Sequence, residues 1–232
     1  MTKNTDKTKI VGHRGAAGVA LENSIPGFSA ARKMGVDAIE LDIQVTKDHY
    51  IVVCHDDNLK RLTGQDKLIS DLTMAELIHI PLEGGQIVPL LRDVLDLVQD
   101  VPIVLDIKID NQLQPIFDIM KDYPNISFTV VTSLPSVVKA SKQLRPDIPA
   151  FIQRHYTPFG LMKSIKKYGA DGLNLNYLWM NPLIYRATQK RGMQIQVYTV
   201  NNQRVAWLLK RLYPGIWICT NHPDKFLTSL SD

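Results

Sequence analysis

Ala38-Ile39-Glu40-Leu41-Asp42-Ile43-Gln44-Val45, then the turn Lys47-Asp48-His49, then Ile51-Val52-Val53-Cys54-His55-Asp56, is the stretch that decides the fold. Both arms are rich in β-branched and apolar residues, as buried strands are. Parallel neighbours need a crossover of about a dozen residues, so the short turn between these arms forces an antiparallel hairpin. The first arm therefore runs past the rim of a sheet and folds back. A turn centred near Asp48 is read as setting position 55 opposite position 42, which returns His55 to the level of Asp42.

Working outward, apolar runs alternate with helical patterns almost to the end of the chain. Strand-like runs are Ile10–Val11, Ala38–Val45, Ile51–Cys54, Ile103–Ile109, Phe128–Val131, Ala150–Ile152, Gly172–Leu175, Ile195–Val200 and Ile216–Cys219. Between most of them lie segments with apolar spacing near 3.6: Ile25–Met34, Leu91–Gln99, Gln112–Lys121, Ser136–Leu144, Phe159–Tyr168, Pro182–Lys190, Arg204–Leu212 and Lys225–Leu230. Gly35, Gly169, Gly192 and Gly215 follow four of these helices, where a left-handed cap is wanted. Such alternation predicts a parallel sheet covered by helices. Setting the hairpin's return arm aside leaves eight strands for an α/β fold of the TIM (β/α)8 barrel type. Residues 56–89 are too long for a plain connection. They are read as a small insertion at the barrel mouth, with one short helix near Met74–Ile78, inside a single domain spanning 1–232.

Bulk properties narrow the function. The chain has 232 residues, is 45% hydrophobic and carries a net charge of +4. No run of five basic residues occurs, which argues against a nucleic-acid partner while suiting an anionic substrate. Met1 to Lys9 is polar and lysine-rich with no apolar stretch after it, and no segment reads as a membrane span. Cys54 and Cys219 both lie in apolar runs and read as free buried thiols, which fits a reducing, cytoplasmic setting. The sequence carries no signal for oligomeric state.

In such barrels the chemistry sits at the C-terminal ends of the strands. His13 and Arg14 end the first strand. Glu40 and Asp42 share one face of the second, and Asp106 and Lys108 one face of Ile103–Ile109, because side chains alternate with period two. Inward charges in strands this apolar need a reason, and a metal with an anion supplies one. Two imidazoles can move protons near pH 7, a guanidinium can clamp an anionic oxygen, and carboxylates can hold a hard divalent cation. These are the parts of a phosphoryl-transfer site. Glu22 is read as orienting Arg14 or His13, and Asn23-Ser24 as a helix cap. Tyr198 is read as pocket wall or core packing, and Gln153 and Asn174 as strand ends within reach of the pocket. His49, His79, His155 and His222 are read as structural, and Trp179, Trp207 and Trp217 as packing.

These residues carry a resemblance to a known family. His13-Arg14-Gly15 with Glu22-Asn23-Ser24, Gly35-Val36-Asp37-Ala38-Ile39-Glu40-Leu41-Asp42 with Thr46-Lys47-Asp48, and Val53-Cys54-His55-Asp56 with Arg61-Leu62-Thr63-Gly64 resemble the first motifs of the glycerophosphodiester phosphodiesterases. Asp106-Ile107-Lys108, Val197-Tyr198-Thr199-Val200-Asn201 and Thr220-Asn221-His222-Pro223 resemble the later ones less closely. The resemblance runs from about Val11 to Pro223. It implies hydrolysis of small glycerophosphodiesters to sn-glycerol-3-phosphate and an alcohol, dependent on a divalent cation, Mg²⁺ or Ca²⁺. It implies His13 and His55 as an acid/base pair, Glu40, Asp42 and Asp106 as metal ligands, and Arg14 and Lys108 as phosphate contacts. Tyr198 would then wall the glycerol. The chain departs from the pattern at Asp106 (usually Glu), Tyr198 (often Trp), Asn221 (often Asp) and Leu21 (often Pro).

Two other readings compete. A lysophospholipase D-like or polyol-phosphate diesterase would want an apolar mouth loop, for which Pro158–Met162 and Tyr177–Met180 are the candidates. A silent barrel would keep the fold as a binding protein without turnover.

Overall fold

The computed structural model describes residues 7–154, 165 and 167–227. Eight strands form a closed parallel barrel: β1 (Lys9–Gly12), β2 (Ala38–Val45), β4 (Ile103–Ile107), β5 (Phe128–Thr132), β6 (Ala150–Arg154), β7 (Gly172–Asn176), β8 (Gln194–Tyr198) and β9 (Trp217–Thr220). They pair in that order around the ring, and β1 closes it by pairing with both β2 and β9. β3 (Ile51–Val53) stands outside the ring, antiparallel to β2.

The hairpin register differs by one residue from the sequence reading. Ile43 faces Val53 and Val45 faces Ile51, so Cys54, not His55, comes opposite Asp42, and the Cys54 N–H donates to the Asp42 carbonyl at 3.0 Å. The cause is the loop. Thr46 N–H donates to the Tyr50 carbonyl at 3.0 Å, which makes Asp48 the true centre of symmetry. β4 is also shorter than expected. Its pairing with β2 stops at Ile43↔Ile107, so Lys108 lies just past the strand rather than on its face.

Helices cover the barrel: α1 (Ile25–Met34), α4 (Leu91–Val98), α5 (Leu113–Lys121), α6 (Pro135–Leu144), α7 (Pro182–Gln189), α8 (Gln203–Leu212) and α9 (Pro223–Leu227). Their apolar stripes face inward, as where α4 buries Leu91, Val94, Leu95 and Val98. Each such side chain contributes about 1.5–3 kcal/mol on burial. All four cap glycines adopt the left-handed conformation expected of them. Of the predicted Phe159–Tyr168 helix, residues 159–164 and 166 lie outside the described residues, as does the end of Lys225–Leu230.

Between β3 and α4 lie two short helices, α2 (Lys60–Thr63) and α3 (Met74–Leu77), and two 3-10 turns. One helix was expected there. The second forms because Gly64 adopts φ 75° and its N–H closes the turn on the Lys60 carbonyl. These residues share an apolar cluster of Val52, Cys54, Leu59, Ile69, Leu77, Ile80, Leu82 and Val88. Both cysteines are buried and free. Trp217 packs on Phe151 with ring centroids 5.8 Å apart. Trp207 does not pack inward as expected. It is 58% exposed, under the guanidinium of Arg211, because its helix turns Ala206 and Leu209 toward the core instead. Among the described residues, no helix is long and apolar enough to cross a membrane.

The barrel interior is layered. Val11, Ala38, Val104, Val131, Phe151 and Cys219 form an apolar cluster inside it. Further along the same strands the inward positions become polar, which places the site.

Candidate active site

A cavity of about 330 Å³ opens at the C-terminal ends of the strands, lined by His13, Arg14, Glu40, Asp42, His55 and Asp106, and also by Gln153, Asn174, Gln196 and Tyr198. The chain after β1 is held against β2. Arg14 and Gly15 take φ of 50° and 84°. Arg14 N–H donates to Glu40 Oε2 at 2.8 Å, and Gly15 N–H to the Glu40 carbonyl at 3.2 Å. Gly15 is required here, since a Cβ would meet the Gly27 backbone at 2.7 Å.

Glu40, Asp42 and Asp106 are buried, and each offers an oxygen within 4.8 Å of the others. Three clustered carboxylates cannot all stay charged without partners. Burial would raise Asp42, but Lys108 and Arg14 outweigh it and hold it below the usual range. Lys108 Nζ lies 2.7 Å from Asp42 Oδ1 and Arg14 Nε 3.5 Å from Asp42 Oδ2. Asp106 is pushed up to about 7 by burial and the neighbouring Asp42 charge. Glu40 is raised well above its ordinary value by burial and by both neighbours. Asp106 Oδ1 is buried with no hydrogen-bond partner. A buried, all-oxygen set with a spare acceptor and more negative charge than its partners neutralise fits a hard divalent cation.

The two histidines differ. His13 Nδ1 sits 2.5 Å from Asn221 Oδ1. An amide oxygen only accepts, so Nδ1 carries the proton and Nε2 presents a lone pair. Burial and the Arg14 charge lower His13 to about 4, so it is neutral at pH 7. His55 Nδ1 lies 2.6 Å from the Asp56 carboxylate.

A chain of charges ties these parts together. Arg61, from the segment after β3, donates through Nε to Asp56 and through both terminal nitrogens to Glu22. Glu22 in turn accepts from Arg14 at 2.9 Å. Lys108 also donates to the His55 carbonyl at 3.1 Å.

The sequence matches what this geometry suggests. The model of the glycerophosphoryl diester phosphodiesterase family matches residues 13–150. A Bacillus subtilis (strain 168) relative, "Putative glycerophosphodiester phosphodiesterase YhdW", is 33% identical over 235 residues, 93% of this chain and 95% of its own. The chain belongs to the glycerophosphoryl diester phosphodiesterase family. A solved Oleispira antarctica phosphodiesterase, in complex with the product sn-glycerol-3-phosphate, shares the fold with a TM-score of 0.91. The match covers 97% of this chain and 98% of that one at 18% identity. A rat protein named Lysophospholipase D GDPD1 is 36% identical over 158 residues, 61% of this chain and 50% of its own.

Within the family, the structure locates the departures. Asp106 reaches the carboxylate cluster despite its shorter arm. Tyr198 lines the cavity, with its hydroxyl donating to the Arg154 carbonyl at 3.2 Å. Leu21 packs against the cluster of the segment after β3, and Asn221 holds His13. Of the histidines read as structural, none of His49, His79 and His222 lines the cavity, and His155 lies outside the described residues. Gln153 and Asn174 both line it. Four contributors were missed in the sequence. Asp56 and Arg61 were seen only as motif members. Asn23, read as a cap beside Ser24, instead donates to Asp42 Oδ2 at 2.8 Å. Gln196 had a faint signal, the polar-apolar alternation of Gln194-Ile195-Gln196-Val197.

Proposed function

We propose that this protein hydrolyses glycerophosphodiesters to sn-glycerol-3-phosphate and an alcohol, with a divalent cation, by two-histidine acid/base catalysis. The single observation that carries the reading is the cavity itself: a buried carboxylate triad, the Arg14 guanidinium and two differently partnered imidazoles line one small pocket, with Lys108 paired to Asp42.

Glu40, Asp42 and Asp106 would hold the cation, Mg²⁺ or Ca²⁺. Bound there, it would neutralise charge developing on a non-bridging phosphate oxygen. Arg14 and Lys108 bind the remaining phosphate oxygens, and Glu22 keeps the Arg14 fork aimed. His13 accepts the proton of the attacking hydroxyl at Nε2, since Asn221 occupies its other nitrogen. His55, with Asp56 on Nδ1, gives a proton from Nε2 to the departing alkoxide. Tyr198 walls the organic part of the substrate. Residues 1–232 act as one domain, with the segment of about 56–89 supplying Arg61 to the site. The two buried unpaired thiols support a reducing, cytoplasmic setting.

A second reading has one observation behind it. Leu178 and Trp179, in the connection after β7, are 72% and 39% exposed, which favours a lysophospholipid as the diester. Pro158–Met162, the other candidate loop, lies outside the described residues. Glycerol-3-phosphate release from glycerophosphocholine tests the main reading, measured with EDTA and with added Mg²⁺ or Ca²⁺. Release should require metal and fall about 10²- to 10⁴-fold in His13→Ala and in His55→Ala. Release from lysophosphatidylcholine alone would shift the assignment to the second reading, and metal-independent release would refute the first.

A further inference from the structure

Residues 172–223 contain no aspartate or glutamate and six basic residues: Arg186, Lys190, Arg191, Arg204, Lys210 and Arg211. The whole chain is only +4, so this stretch carries all of its positive excess and the remainder is net negative. All six are exposed. They lie in or next to α7 and α8, which are neighbours: the Tyr185 and Tyr213 rings pack with centroids 5.3 Å apart, and the Tyr185 hydroxyl donates to the Pro214 carbonyl at 2.8 Å. Among the described residues, none of the six has an acidic partner.

The same helices turn large apolar side chains outward. Arg204, Trp207, Leu208, Arg211 and Leu212 recur at the spacing of one helix face. Ala206 and Leu209, on the other face, are buried. Leu208 and Leu212 are 48% and 54% exposed, and Leu183 on α7 is 78% exposed. Scattered exposed apolar residues are ordinary, but several on one flank mark an interaction surface. A cavity of about 530 Å³ extends this surface beside α8, lined by Ile10, Trp207, Leu208 and Phe226, with Arg204 and Lys210 also on its wall.

An anionic bilayer matches both features. Its surface potential attracts Lys and Arg, tryptophan settles at the headgroup level, and leucine reaches the acyl boundary. A single-stranded nucleic acid would use the arginines and Trp207 but leave the leucines in water. A second copy of this chain, meeting the same face, would set these cations against their like.

We infer that the outer face of α7 and α8 is a docking surface for anionic phospholipid membranes. The contact is peripheral: side chains enter the headgroup layer, and among the described residues no helix is long and apolar enough to cross it. The inference stands apart from the diesterase reading, since none of these side chains lines the catalytic cavity.

Vesicle co-sedimentation of the full chain at low ionic strength tests it, with vesicles of phosphatidylcholine alone or with one third phosphatidylglycerol. The wild type should bind the anionic vesicles at least about tenfold tighter than the neutral ones, and high salt should remove the difference. Arg204→Gln with Arg211→Gln should weaken anionic binding about tenfold or more, and so should Trp207→Ser with Leu208→Ser. These side chains are exposed, so melting temperatures should hold, which separates lost docking from lost folding. Tryptophan emission should shift to the blue with anionic vesicles, and less so in Trp207→Phe. No binding, equal binding to both vesicles, or unchanged binding in the folded variants overturns the inference. Tighter binding to a single-stranded oligonucleotide also overturns it, as does self-association without vesicles that the same substitutions abolish.

Discussion

Asp106→Asn tests the acidic wall most directly. Desolvation and the Asp42 charge raise Asp106 from 3.8 to about 7, so the folded protein binds this proton more tightly than the unfolded chain does. The stability it contributes is complete below the unfolded value of 3.8 and is lost as pH rises through about 7. Roughly three pH units at about 1.4 kcal/mol each put the penalty of the charged form on the order of 4 kcal/mol. Asn keeps the shape and abolishes the charge. In EDTA at about pH 8, urea unfolding should find Asp106→Asn more stable than the wild type by up to about 4 kcal/mol, and the difference should vanish near pH 4. Thermal unfolding should show about 10 °C between the two at the higher pH. Added Mg²⁺ or Ca²⁺ should then invert the order, since it stabilises the wild type by mass action and the variant lacks a ligand. A variant no more stable than the wild type at high pH without metal would refute the reasoning, as would a difference independent of pH.

Two further outcomes follow from the loop after β1 and from the charge chain. Arg61→Lys keeps the charge but cannot reach Asp56 and Glu22 together, so kcat/KM should fall about tenfold through a loss in kcat. A fall confined to KM would show that Arg61 does not act through His55. Gly15→Ala places a methyl group against the Gly27 backbone at φ 84°, and should cost about 1–3 kcal/mol. An unchanged melting temperature would show that the turn relaxes freely.

Much of the architecture was legible because its signals are local. The hairpin at Lys47-Asp48-His49 was visible because no parallel crossover fits in so few residues. Glu40 and Asp42 were visible as inward because period two is a property of any strand. What failed was register and reach. The pairing of Asp42 with Cys54 rather than His55 depends on a loop hydrogen bond from Thr46 to Tyr50. Asn23 reads as a helix cap from its neighbours alone, but the turn after β1 carries it to Asp42.

The sequence by itself determined the barrel, the hairpin and the residue types of the acidic and histidine cluster, since periodicity, turn length and motif order are written along the chain. Only the tertiary structure decided which contacts these residues make. Asn221 meets His13 from the far end of the chain, Arg61 joins Glu22 to Asp56, and Gln196 lines the same cavity as the carboxylates. The reason is physical: ring closure sets neighbours by shear and strand order, so side chains distant in sequence share one low-dielectric cavity, where their charges and hydrogen bonds are settled jointly.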